Sequence, residues 1–272
     1  GVDGWTLVDC GIANEASKAA WEVIFKNELE GLPIVRVIVT HMHPDHIGLS
    51  SWLCEKWNVP LWITMTDFLL AKHLISPPGT KTGSVAGGGG AADHFSKHGL
   101  TEESDLEKIR ARADYFGNMV PSLPPRFRRI LDNEDIQIGG RSWKVVVGYG
   151  HAPEHASLWC ADLNLLISGD MVLPRISTNV SVFDTEPDAD PLGLYLSSLE
   201  KYFNLPAGVL VLPSHGKPFN GLHLRVNQLK QHHADRLQET MAFCSIGPGH
   251  ARDLVPVMFK RELDLHQLTF AM

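Results

Sequence analysis

An α/β fold is what this 272-residue sequence predicts. Three features carry the prediction. Short β-branched apolar runs recur along the chain. Helical stretches separate the early ones, and polar turns rich in His and Asp follow the runs directly.

Trp5–Asp9 reads as the first strand, closed by Cys10-Gly11. Residues 13–30 then have a helical period, with Ala16, Ala20, Val23, Ile24 and Phe25 on one face, and Gly31-Leu32-Pro33 ends the helix. Ile34–Val39 is nearly continuously apolar, as in a strand buried on both faces. A helix over 47–57 and a short strand over 60–64 complete the β-α-β alternation.

The middle of the chain is less regular. Residues 76–99 contain Pro77-Pro78 and Gly87–Gly90, too many breakers for a packed element, so this segment is expected to be a loop or lid. A charged helix is expected over 102–116. Ile136–Ile138, Gly139-Gly140 and Trp143–Val147 form a hairpin signal, and two apolar runs follow at 163–168 and 208–212. From Leu224 to Phe243 an amphipathic helix aligns Val226, Leu229, His233 and Leu237, and residues 250–272 read as helix and turn.

Composition narrows the function classes. The chain is 44% hydrophobic and 20% charged, in the range of folded globular proteins. Its formal net charge of −7 argues against nucleic-acid or membrane binding through bulk charge. No run approaches the ~20 apolar residues of a membrane span. Cys10, Cys54, Cys160 and Cys244 are far apart with no CxxC pair, as expected for reduced thiols. With no secretory pattern at Gly1-Val2-Asp3-Gly4, the expected location is cytoplasmic. The expected partner is a small-molecule substrate, with no membrane; nucleic acid is disfavoured by charge but stays open as an alternative, and the sequence carries no signal for oligomeric state.

The chemistry lies at the ends of the apolar runs. After Val35–Val39 come His41, His43, Asp45 and His46; later runs deliver His151, Asp170 and His215. Loops after parallel strands converge at one edge of an α/β sheet, so four such ends point to one site. Imidazole and carboxylate suit Zn, Fe or Mn. A carboxylate at Asp170 can bridge two cations, and a cation-bound water is acidic enough to supply hydroxide at neutral pH. The remaining histidines fit structural roles: His232-His233 on a helix, and His73, His94 and His98 in or beside the irregular segment. His155, four residues past His151, suits a hydrogen-bonding partner of the ligands.

The run His41-Met42-His43-Pro44-Asp45-His46, with Gly150-His151, Ser168-Gly169-Asp170 and Ser214-His215-Gly216, resembles the metallo-β-lactamase superfamily. The resemblance covers residues 1–225. It implies an αββα sandwich of two mixed sheets flanked by helices, with 74–128 as an irregular and helical insert and 226–272 as a short C-terminal helical extension. It looks closest to the glyoxalase II-like branch and to the subgroup with a C-terminal winged helix, on Ser168–Asn179, Leu212–Phe219 and the arginines from Arg225 to Arg236.

Carried over by that resemblance, His41, His43 and His151 hold one divalent ion, Asp45, His46 and His215 hold a second, and Asp170 bridges them. The ions are expected to be Zn, with Fe or Mn as alternatives. The implied enzyme is a metal-dependent hydrolase in which a bridging hydroxide attacks a thioester, ester or lactone carbonyl and Asp45 accepts a proton. Arg175 and Asn179 are expected to contact a polar group of the substrate. The alternatives are a phosphodiesterase or ribonuclease using the same two ions, and an iron-dependent persulfide dioxygenase. Arg126, Arg128 and Arg129 form a tight basic cluster, read as a solvated rim.

Overall fold

A computed structural model describes residues 1–75, 88–112 and 114–272. In chain order the strands and helices are β1 (Trp5–Val8), α1 (Glu15–Asn27), β2 (Ile34–Ile38), α2 (Pro44–Ile47), α3 (Ser50–Trp57), β3 (Leu61–Ile63), α4 (Met65–Leu74), α5 (Gly88–Lys97), α6 (Glu103–Ala111), α7 (Tyr115–Met119) and β4 (Phe127–Arg129). They continue with β5 (Asp135–Ile138), β6 (Arg141–Gly148), β7 (His155–Cys160), β8 (Leu165–Gly169), α8 (Pro191–Glu200), β9 (Leu210–Pro213), α9 (Leu222–Cys244), α10 (Ala251–Met258) and α11 (Leu265–Ala271).

The described chain divides into two units. The first comprises residues 1–75, 116–180 and 191–223 and contains both sheets. One sheet has the order β1-β2-β3-β4, the other β5-β6-β7-β8-β9. Two mixed sheets were the expectation, and the first sheet corrects it: all its pairings are parallel. The reason is local. A helix separates β1 from β2, β2 from β3, and β3 from β4, and a helical crossover returns the chain in the same direction. The second sheet is mixed. β6 is antiparallel to β5 and β7, β7 is antiparallel to β8, and β8 is parallel to β9. Hence β6, β8 and β9 share one direction and end at one edge.

The β5–β6 hairpin matches its sequence signal. Ile138 pairs with Arg141, and the intervening Gly139 and Gly140 have φ of 60° and 74°. A two-residue turn with both φ values positive fits the right-handed twist of the strands it joins, and glycine adopts it without strain. Between the sheets lies an apolar core. Ile38 packs in one cluster with Ile136, Trp143, Val145, Val147, Ala156 and Leu158, and Val8 and Trp62 join from the first sheet.

Two helical faces differ from expectation. On α1, Ala16, Ala20 and Val23 are exposed, while Trp21, Ile24 and Phe25 are half-buried. Aromatic contacts select that face: Phe25 lies 5.2 Å from Trp57 and 6.1 Å from Trp52 between ring centroids. Trp21 Nε1–H also donates to the Cys10 carbonyl at 2.8 Å. Along α9, Val226 and Leu229 are buried but Leu237 is exposed; the less exposed face continues through His233, Arg236 and Thr240. Leu237, three turns after Val226, keeps the 3.6-residue period but lies on the solvent side of that path.

The second unit holds α5, α6, residues 181–190 and 224–272. It corrects the expectation of an unstructured 76–99 segment. Residues 76–87 lie outside the described residues, but Gly88–Lys97 is a helix. Its three glycines occupy the first turn, and burial of Ala91 and Ala92 against Leu106, Ile109, Val255 and Leu268 outweighs their poor propensity. α10 and α11 bear out the helical reading of the tail. The free thiols of Cys10, Cys54 and Cys160 are buried and that of Cys244 is exposed. Among the described residues, no helix is long and apolar enough to cross a membrane.

Candidate metal centre

Five strands end at the site. β1 runs into Asp9 and β2 into Thr40 and His41; β6 leads to His151, β8 to Asp170 and β9 to His215. Pro44 opens α2 at its first position, where its missing N–H costs no helical hydrogen bond. Asp45 and His46 therefore sit in the first turn, immediately after His43.

The structure brings together all seven residues singled out as ligands. Three imidazole nitrogens form a tight triangle. His41 Nε2 is 2.9 Å from His43 Nδ1 and 3.1 Å from His151 Nε2, and His43 Nδ1 is 3.1 Å from His151 Nε2. Beside it lies a second group. His215 Nε2 and His46 Nε2 are 3.2 and 3.4 Å from Asp45 Oδ2. Between the groups, Asp170 Oδ2 is 3.5 Å from His151 Nε2, 3.5 Å from His215 Nε2 and 3.6 Å from His46 Nε2.

Hydrogen bonds fix the ring tautomers. Thr40 Oγ1–H donates to Asp9 Oδ2 at 3.0 Å, so Thr40 Oγ1 accepts from His41 Nδ1–H, also at 3.0 Å. His151 Nδ1–H donates to the Asn179 carbonyl at 2.8 Å, and His46 Nδ1–H donates to Asp9 Oδ2 at 2.8 Å. In the neutral rings of His41 and His151 this leaves the opposite Nε2 as a bare lone pair, whereas His46 Nε2 faces the carboxylates of Asp45 and Asp170. The Nε2 atoms of His41 and His151 therefore face each other with no proton between them. Two acceptors so close repel unless a cation lies among them. His46 Nε2 and Asp170 Oδ1 are also buried and make no hydrogen bond. This donor set fits divalent cations.

Titration follows the same arrangement. Burial, then repulsion from neighbouring imidazoles, holds His41 and His43 well below the ordinary histidine value. Burial would also lower His46, but Asp9, Asp170 and Asp45 outweigh it and raise its pKa. Burial would raise Asp45, yet the hydrogen bond and charge of His46 bring it down to about 2. Asp170 lies further below the carboxylate range, with its burial outweighed by His151 and His46.

Several supporting residues were not apparent as functional in the sequence. Asp9, besides holding His46 and Thr40 Oγ1, accepts from Thr40 N–H at 2.8 Å. Its signal was available, since it follows a strand just as the ligands do. Asp67 of α4 is fully buried and ties two ligand loops together. It accepts from Met42 N–H at 2.8 Å, between His41 and His43, and from Glu154 N–H at 2.7 Å, beyond His151. Burial pushes its pKa up to about 6 despite these bonds. No local pattern marks it.

His155 takes the role of a partner rather than a ligand: the Asp170 N–H donates to its Nε2 at 3.0 Å. A Cβ at Gly169 would meet that same nitrogen at 2.3 Å, which explains the glycine before Asp170. Asn179 reaches the site through its carbonyl on His151. Arg175 is exposed and makes no hydrogen bond or ion pair among the described residues.

Parallel strands delivering a His/Asp cluster at one edge of a two-sheet sandwich define a class of metal-dependent α/β proteins. Residues 1–215 match the model of the Metallo-beta-lactamase superfamily, and the chain belongs to that superfamily. Residues 237–272 match a second model, the Metallo-beta-lactamase-like C-terminal domain. A solved beta-lactamase domain protein from Burkholderia ambifaria is 50% identical, with a TM-score of 0.90 over 98% of this chain and 75% of that one. A metallo-beta-lactamase family protein from Thermus thermophilus is 26% identical, with a TM-score of 0.79 over 100% of this chain and 82% of that one. The probable metallo-hydrolase YflN of Bacillus subtilis is 27% identical over 62% of this chain, which spans 56% of that protein's length. These likenesses place the chain among the enzymes of this fold. Membership implies divalent metal ions, for which the His/Asp cluster supplies the donors.

Proposed function

We propose that the protein is a hydrolase that uses two divalent ions, most simply zinc, to cleave a thioester, ester or lactone. In this reading His41, His43 and His151 hold one ion, Asp45, His46 and His215 hold the other, and Asp170 contacts both. The observation that carries it is the pair of adjoining donor groups with Asp170 Oδ2 between them. When bound, the ions supply hydroxide at neutral pH and polarise the substrate carbonyl.

The side chains have separable tasks. Asp9, Thr40 and the Asn179 carbonyl orient three imidazoles through their Nδ1–H groups. Asp45 is ionised at neutral pH and 46% exposed, so its carboxylate can take up the proton released during hydrolysis. Arg175, exposed and without a partner among the described residues, is assigned to a polar group of the substrate. The glyoxalase II-like branch is the proposed placement within the superfamily. Within the 226–272 extension, residues 250–272, with α10 and α11, are proposed as the start of a winged helix.

Metal analysis with a substrate panel tests the proposal. Two ions per chain, with turnover of thioesters, esters or lactones that stops on chelation, is the expected result. Preferential cleavage of bis-p-nitrophenyl phosphate or single-stranded RNA, or a single iron with persulfide oxidation, would replace it.

A further inference from the structure

The two edge strands of the sandwich leave a cleft beside the metal centre. Its volume is about 360 Å³, within the range of small-ligand pockets. At about 30 Å³ per water-sized group, it has room for roughly a dozen non-hydrogen atoms. Asp45, His46 and His215 form one wall, so the cleft is continuous with the half-open donor group.

The remaining lining is mostly apolar. Val8 ends β1 of the first sheet, while Ile167 of β8 and Leu212 of β9 come from the second. Val8 and Ile167 pack against the core between the sheets, yet all three side chains are only half-buried. Apolar walls in a concave surface gain most from an apolar occupant. Charge narrows the occupant further. The cleft is lined by Asp9 and Asp45, and among the described lining residues there is no Lys or Arg.

We propose that this cleft binds an uncharged, apolar acyl or alkyl group of the substrate, of up to about a dozen non-hydrogen atoms. The inference rests on the carbonyl-hydrolase reading above and deepens it by naming the group next to the cleaved bond. Each methylene that enters the cleft strengthens transition-state binding about fourfold. Beyond the histidines of the donor group the lining offers no Lys or Arg to receive a terminal carboxylate, and it carries the carboxylates of Asp9 and Asp45.

The test uses the metal-loaded full chain. Values of kcat/KM are compared for p-nitrophenyl acetate, hexanoate and hemisuccinate and for the matching thioesters, in the native protein and in Leu212→Trp. A second readout follows the methyl resonances of Val8, Ile167 and Leu212 as 1-hexanol is added to the native protein. The native hexanoyl-to-acetyl ratio is expected to be at least about tenfold and to collapse towards unity in Leu212→Trp. 1-Hexanol is expected to shift those three methyl groups saturably. A flat native ratio, faster succinyl than hexanoyl turnover, or unmoved methyl resonances would overturn the proposal. Methyl shifts without any turnover of these esters and thioesters, or of γ-hexalactone added to the panel, would leave the cleft assignment standing and reject the hydrolase reading instead.

Discussion

The two donor groups adjoin the same carboxylate, Asp170, but differ in their surroundings. His41 is fully buried and His151 is 6% exposed, whereas Asp45 and His215 are 46% and 45% exposed. The buried group consists of imidazoles alone, two of them held by a neighbour through Nδ1–H. The open group contains a carboxylate and faces the cleft. Shielded, preorganised donors retain an ion, while solvent-facing donors exchange it and meet substrate. On the proposed reading, the first group would anchor its ion and the second, with Asp45 and His215 open to the cleft, would meet substrate.

Removing one donor from each group gives the largest contrast. His151→Ala is expected to weaken binding of the anchored ion by more than a hundredfold, since even the partners of ligands are worth about 10–100-fold. His215→Ala is expected to leave that ion in place while turnover collapses. Competition with a chromophoric chelator, read beside kcat, separates the two outcomes. Equal loss of both ions in both variants would break the contrast.

The supports of each group come next. Asp67→Ala leaves the buried Met42 N–H and the half-buried Glu154 N–H without their acceptor. At about 1–3 kcal/mol for each orphaned donor, urea unfolding is expected to show a loss of about 2–6 kcal/mol, with weaker binding mainly at the anchored site. Asp9→Ala removes the acceptor of His46 Nδ1–H. Its expected effect is a 10–100-fold loss of affinity, mainly at the open site, as measured by equilibrium dialysis.

The smallest effect is on acid stability of the metal-free chain. His155 falls to about 3 in the fold, with burial as the main cause and His151 as the next. A histidine with a depressed folded value binds its proton more readily when unfolded. Its contribution therefore decreases as pH drops from about 6.5 towards 3, by up to about 1.4 kcal/mol per pH unit. His41 and His43 act in the same direction; His46, whose folded value is raised, opposes them. Denaturant midpoints from pH 7 to 4 are expected to fall less steeply in His155→Gln. An unchanged slope would contradict the assigned cause.

The same contrast explains what could be read from the sequence. All seven donors were legible because each follows an apolar run, and strand ends need no knowledge of distant partners. The hairpin was legible because Gly139-Gly140 encodes its turn locally. Asp9 and Asp67 act across 31 and 87 residues, on Thr40 and Glu154, so their roles depend on strand register and helix packing. α5 stayed hidden because its helicity comes from buried alanines rather than from the propensity of its glycines. β4 was missed beside a proline-rich stretch. It forms because Phe127 stacks on Phe68 at 4.1 Å and Arg128 lies 4.0 Å over the Trp62 ring.

Anomalous diffraction from crystals of the zinc-loaded protein tests the central claim most directly. Two peaks are expected, one among the His41, His43 and His151 nitrogens and one among Asp45, His46 and His215, with Asp170 between them. A lone peak elsewhere, or none from protein that still turns over its substrate, would contradict the account.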